Sequence, residues 1–182
     1  MDDPEREREA HPLSGVMEFW DHVIEDMEAT AAEYREAGWN VTELHPGDVT
    51  PVPATLDTVE TDRAGLDVLV PGDEFETVEA LVEDATFDAY DAYRAERGDV
   101  MFAVVVMQSE AAGEAVAVPV YYTMTEGQPM LERIEERGEM RLYIRPLSDD
   151  RRVVFVQEDP EALLPDADGN SDTTDDTADA DS

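Results

Sequence analysis

Apolar residues recur at spacings of three and four near the start of the chain: Leu13, Val16, Met17, Trp20, Ile24, Met27, Ala31 and Tyr34. That period is the stripe of an amphipathic helix, and Gly38 supplies its stop. Trp39 to Leu44 then reads as a short strand. The stretch HPGDVTPVPA follows, and its three prolines and one glycine predict a long loop without regular structure. Leu66 to Val70 is a second short strand, closed by Pro71 and Gly72. Asp73 with Glu76 three residues on predicts a capping box, opening a helix with Phe75, Val78, Val82 and Ala85 inward. Thr86 predicts the cap of a further helical stretch that carries Phe87, Tyr90 and Tyr93 and ends at Gly98.

The second half of the chain changes character. VMFAVVVM and AVAVPVYYT are rich in β-branched and aromatic residues and flank the turn-like EAAGE, so they predict a hairpin. Pro119 points to an edge or a bulge in its second strand, because proline cannot donate to a ladder. Pro129 at a helix start, Leu131 and Ile134 inside it and Gly138 after it define a short helix. A second hairpin runs MRLYIRPL, SDDR, VVFVQ, and Asp159 with Pro160 opens a last helical turn. This order lacks the strict strand–helix alternation of a doubly wound parallel sheet. The expected fold class is α+β: a mostly antiparallel sheet built from two hairpins plus short N-terminal strands, covered by amphipathic helices.

Residues 1–12 are charged and without period, and 166–182 hold Asp, small polar residues, Ala and Gly. Both are expected to be disordered, an N-terminal arm and an acidic tail around one domain at 13–165. The start MDDPEREREAHPLSG has no apolar stretch of signal-peptide type, and the longest apolar run, Val100 to Met107, is too short to span a bilayer. The expected location is the cytoplasm, away from membranes.

Charge sharpens the picture. The chain of 182 residues carries 47 acids against 12 basic residues, all of them Arg, for a net charge of −35. A disordered acidic chain would be poor in apolar residues, yet these make up 42% here and fall in periodic blocks. The acidity is instead that of a folded protein adapted to salt, whose self-repulsion is screened when the Debye length falls to about 3 Å in molar salt. Unfolding at low salt is the expected consequence, and circular dichroism during removal of potassium chloride checks it. The phrases GWNVTELHPGDV, Gly38 to Val49, and LYIRPLSDDRRVVFVQEDPEALL, Leu142 to Leu164, resemble uncharacterised conserved proteins of halophilic archaea. The likeness covers roughly residues 13–165. It implies a single salt-adapted domain and brings no activity to any residue.

Candidate chemistry is sparse. No cysteine is present, which removes disulfides, thiolate nucleophiles and cysteine-ligated metals together. There is no nucleophile elbow, glycine-rich phosphate loop or His-Glu-x-x-His, which weighs against an enzyme, and no cofactor is called for. Glu18, His22 and Asp26 follow at spacings of four on the polar side of the first helix and are candidate metal ligands, against the alternative of chance neighbours on an acid-rich helix. His45 in the Leu-His-Pro-Gly-Asp turn, with Asp48 three residues on, is a candidate general base with its orienter. The alternative there is ordinary turn chemistry.

Arg133, Arg137, Arg141, Arg145, Arg151 and Arg152 place six of the twelve arginines in twenty residues that hold five acids, a net +1 within a chain of −35. In the strand, Arg141, Tyr143 and Arg145 alternate with Met140, Leu142 and Ile144, so the period of two sets the arginines on one face and the core on the other. An even loop centred on Asp149 and Asp150 would make residues 145 and 154 neighbours, bring Val153 and Phe155 to the core face and put Arg152 on the arginine face. Guanidinium forks around a tyrosine ring bind phosphates and carboxylates, so Arg133, Arg137, Arg141, Tyr143, Arg145 and Arg152 are the anion-binding candidates. The alternative is an ion-pair lattice with Glu132, Glu135, Glu136 and Glu139. The expected function is a small non-enzymatic binding or regulatory module for an anionic small molecule or an acidic protein, with nucleic acid disfavoured; a metal-assisted or His/Asp-dependent hydrolase is the alternative.

Overall fold

The computed structural model describes residues 13–53, 63–148 and 151–165. The arm expected at 1–12, the tail expected at 166–182 and the turn residues Asp149 and Asp150 lie outside the described residues. Two helices flank short strands at the start: α1 (Leu13–Glu36), β1 (Asn40–Glu43), β2 (Asp48–Val52), β3 (Gly65–Leu69) and α2 (Gly72–Asp84). Then come β4 (Ala89–Arg97), β5 (Val100–Ser109), β6 (Glu114–Thr123), α3 (Gln128–Arg137), β7 (Glu139–Arg145), β8 (Val153–Glu158) and a 3₁₀ turn at Pro160–Leu163. The fold class is α+β, as the residue pattern predicts.

The strands form two four-stranded sheets, in the orders β1-β6-β5-β4 and β2-β3-β7-β8. Both expected hairpins are present, β5 with β6 and β7 with β8. Each sheet also contains one parallel pair, β1 with β6 and β3 with β7, made by a strand from the first half of the chain. The single sheet expected from the sequence is thus two mixed sheets, because the short N-terminal strands distribute themselves between the hairpins. No helix among the described residues is long and apolar enough to cross a membrane.

The layers follow from burial. On one face of β5 and β6, Phe102, Val104, Val106, Ala115 and Ala117 pack against Val23 and Met27 of α1. On the other face, Met101, Val105, Val116, Val118 and Tyr122 meet Leu66, Val68, Leu142, Ile144 and Phe155 of the second sheet, with Phe75 of α2 and Met130 and Ile134 of α3 completing that core. The resulting order is helix, sheet, sheet. At β3, Gly65 adopts φ +155° opposite Arg141, whose carbonyl oxygen would stand 1.8 Å from a Cβ at position 65. Only glycine permits this approach.

Four expectations are corrected. HPGDVTPVPA contains β2, an edge strand paired antiparallel with β3, and Pro51 is tolerated because an edge strand has one side without ladder partners. The helix expected from Thr86 to Gly98 is β4, paired with β5 from Ala89↔Gln108 to Arg97↔Val100. The spacing of three between Phe87, Tyr90 and Tyr93 mimics a helical stripe, but pairing to β5 overrides it. The capping box does not form: the N-cap of α2 is Pro71, with no side-chain cap hydrogen bond. Pro119 lies in an internal strand, yet β1 pairs with β6 only as far as Ala117, so the proline sits beyond the end of its neighbour.

Candidate functional site

In the second sheet, β7 keeps the predicted sidedness. Met140, Leu142 and Ile144 are fully buried in the core, and Arg141, Tyr143 and Arg145 share the face turned away from the first sheet. The hairpin register is shifted by two residues from the expected one, since Ile144 pairs with Val153 and Tyr143 with Val154. A shift of two preserves every side chain's face. Val153 and Phe155 therefore enter the core, while Val154 and Val156, each 43% exposed, stand beside Tyr143 and Arg141 on the outer face.

Register with β3 brings Asp67 next to Tyr143 and Leu69 next to Arg145. Asp67 is the centre of the polar cluster. Arg145 Nε donates to Asp67 Oδ2 at 2.7 Å, and Arg63 Nη1 lies 3.5 Å from Asp67 Oδ1. The Arg63 guanidinium also lies over the Tyr143 ring, 5.3 Å from its centroid, and the Tyr143 hydroxyl accepts from the Ala64 N–H at 3.0 Å. Tyr143 is consequently only 4% exposed despite facing outward. Arg141 takes a different partner, Glu139 on its own strand, at 2.7 Å in a half-exposed pair. Arg133 Nη1 donates to the Arg63 carbonyl oxygen. Arg151 pairs with Glu79 of α2 and covers the Phe75 ring. Of the four glutamates expected to form a lattice, Glu139 is engaged by Arg141; the buried partner, Asp67, lies 78 residues upstream of Arg145.

The structure brings together Arg141, Tyr143 and Arg145 of the expected anion-binding set. Arg133 and Arg137 lie on α3, and Arg152 immediately precedes β8, outside the paired residues of the hairpin.

The histidine candidates are placed differently. His22 is exposed on α1, 3.9 Å from Glu25 and near the Phe19 ring, and Glu18 and Asp26 are exposed on the same helix. His45 follows β1 and is bound twice by Glu74 of α2: its backbone N–H donates to Oε1 at 2.7 Å, and Nδ1 lies 2.7 Å from Oε2. Asp48 accepts from Thr50. His45 and Asp48 thus have separate partners. Glu28 of α1 and Glu43 of β1 approach His45 closely enough for one ligand atom of each to lie within 4.8 Å of the others. The sequence hides this group, because Glu28, Glu43 and Glu74 reach His45 from three different elements. Only the Glu43–His45 spacing of two gives a local sign of it.

Elsewhere, Tyr34 of α1 donates to Asp91 at 2.6 Å and accepts from Gln108 at 2.8 Å, tying the helix to β4 and β5. Burial, reinforced by the bond to Asp91, pushes the Tyr34 phenol far above its ordinary range. A groove of about 840 Å³ separates the segment Ala85–Tyr90 from the outer edge of β8.

Residues 6–165 match the model of a family of unknown function, DUF7529. The chain belongs to that family. No curated protein and no solved structure matches it.

Proposed function

We propose that this domain is a non-enzymatic binding module of a salt-adapted cytoplasm, and that its recognition face is the outer face of the second sheet. The observation that carries this reading is the adjacency of charged and apolar rows: Arg141 stands beside Val156, and Tyr143 beside Val154, on β8, which is an edge strand among the described residues. Half-exposed valines on an edge strand are a surface that soluble domains ordinarily blunt.

The two central arginines play different parts. Arg145 and Asp67 are largely shielded from water, so that pair holds β3 to β7 and is costly to open. The Arg141–Glu139 pair is half-exposed and open to solvent screening, and such pairs contribute only about 0–1 kcal/mol. An incoming carboxylate or phosphate therefore exchanges with Glu139 at little cost, and the valines supply apolar contact that salt does not screen. An anionic group on a partially apolar partner fits this face. The net +1 of the surrounding segment makes it the part of the chain least repellent to such a partner.

The test is binding of polyphosphate and of a nucleotide in molar potassium chloride to the full chain and to an Arg141→Gln, Arg152→Gln variant. A loss of about tenfold in affinity, on the order expected for one charge-assisted contact, supports the reading. Equal binding by the two proteins, or none by either, overturns the anion-binding part of it.

A further inference from the structure

We propose that Glu28, Glu43 and His45 form a binding site for one divalent transition-metal ion, with Glu74 as the carboxylate that orients the imidazole. The site lies apart from the arginine-bearing face and does not depend on it.

Among 47 acids, close carboxylates by themselves mean little. The imidazole distinguishes this group. A carboxylate can only accept, so the 2.7 Å contact from Nδ1 to Glu74 fixes that nitrogen as the donor. The second Glu74 oxygen takes the His45 backbone N–H, which pins the carboxylate as well as the ring. Nε2 is left as the ligating nitrogen. A histidine that donates one ring N–H to a carboxylate and offers the other nitrogen is the arrangement found around bound metals.

Geometry and charge agree. Ligand atoms around a tetrahedral ion at about 2.1 Å stand about 3.4 Å apart. One ring nitrogen of His45 and one oxygen each of Glu28 and Glu43 lie within 4.8 Å of one another and need to close by about 1.4 Å at most, to which the exposed Glu28 side chain contributes by rotamer change. Arg35 donates to Glu43 Oε2 at 2.7 Å and to the Val41 carbonyl at 3.0 Å. Glu28, Glu43 and Glu74 against Arg35 leave a local charge of −2, matched to a divalent cation. One nitrogen and two carboxylates favour zinc, cobalt, nickel or manganese over calcium and magnesium, which take oxygen ligands. An ion here joins α1 to the end of β1.

The experiment uses the full chain, stripped with a chelator and dialysed, then titrated with zinc by calorimetry and with cobalt by visible absorption, in molar potassium chloride with excess magnesium. One saturable equivalent is expected. His45→Ala and Glu43→Gln should each weaken it by tenfold or more, and Glu74→Gln by about 10–100-fold, the range for loss of the carboxylate that orients a ligating imidazole. His22→Ala should leave it unchanged, and circular dichroism should show all four variants folded. Affinity that survives His45→Ala, that falls with His22→Ala, or that never saturates at one equivalent overturns the proposal. Glu28→Gln, on an exposed helix position, gives a further variant should one of the others unfold.

Discussion

β5 and β7 are both interior strands, one in each sheet, yet their two faces differ. From Met101 to Met107 every residue of β5 is buried, because α1 covers one face and the second sheet the other. In β7 burial follows the pleat, with Met140, Leu142 and Ile144 in the core and Arg141 and Arg145 partly open to water. A strand between two layers reads as a continuous apolar run, whereas one with a single covered face alternates. Charged side chains of β7 are accordingly found on its outer face, while β5 from Met101 to Met107 carries none.

The strongest way to break this comparison is Gly65→Ala. A Cβ there meets the Arg141 carbonyl at 1.8 Å, so β3 must lose its register with β7. The expected cost is about 4 kcal/mol or more, a large part of the stability of an ordinary domain. Denaturant unfolding in molar salt measures it, and a smaller effect means that the second sheet can slide. Next, Phe102→Ala removes a fully buried ring between α1 and the first sheet, at about 3–4 kcal/mol. Val154→Thr on the open face should change stability by about 0.5 kcal/mol or less. If the two substitutions cost the same, the second sheet is covered on both faces like the first. Between these lies Asp67→Ala, which strips Arg145 of its carboxylate and should cost about 2 kcal/mol. The same denaturation curves, compared with those of Arg145→Gln, test whether the two residues act as one unit.

What the sequence made legible was local. The stripe of α1, the Pro129 start and Gly138 stop of α3, and the alternation of β7 each depend on neighbours within a turn or a pleat. β4 was hidden because its tyrosines repeat every three residues, and only β5 makes that segment a strand. β2 was hidden by its prolines, which an edge position tolerates. The arginine face was visible as a face, since sidedness survives a register shift of two. Its buried counterion was not, because Asp67 arrives through a parallel pairing that no spacing rule predicts. His45 was visible as a loop histidine, but its neighbours come from α1, β1 and α2, and their convergence is a property of the tertiary fold.

Both parallel pairs join a strand from the first half of the chain to one from the second. Asn40 must wait for Glu114, and Gly65 for Arg141, whereas each hairpin closes within a few residues of its own turn. During synthesis α1, β1, β2 and β3 therefore leave the ribosome well before the strands that complete their sheets exist. Contacts of such separation carry a loop-closure entropy that slows folding. The hairpins, whose strands follow one another directly, close without that delay, so in each sheet the parallel pair is the one whose first strand waits longest for its partner.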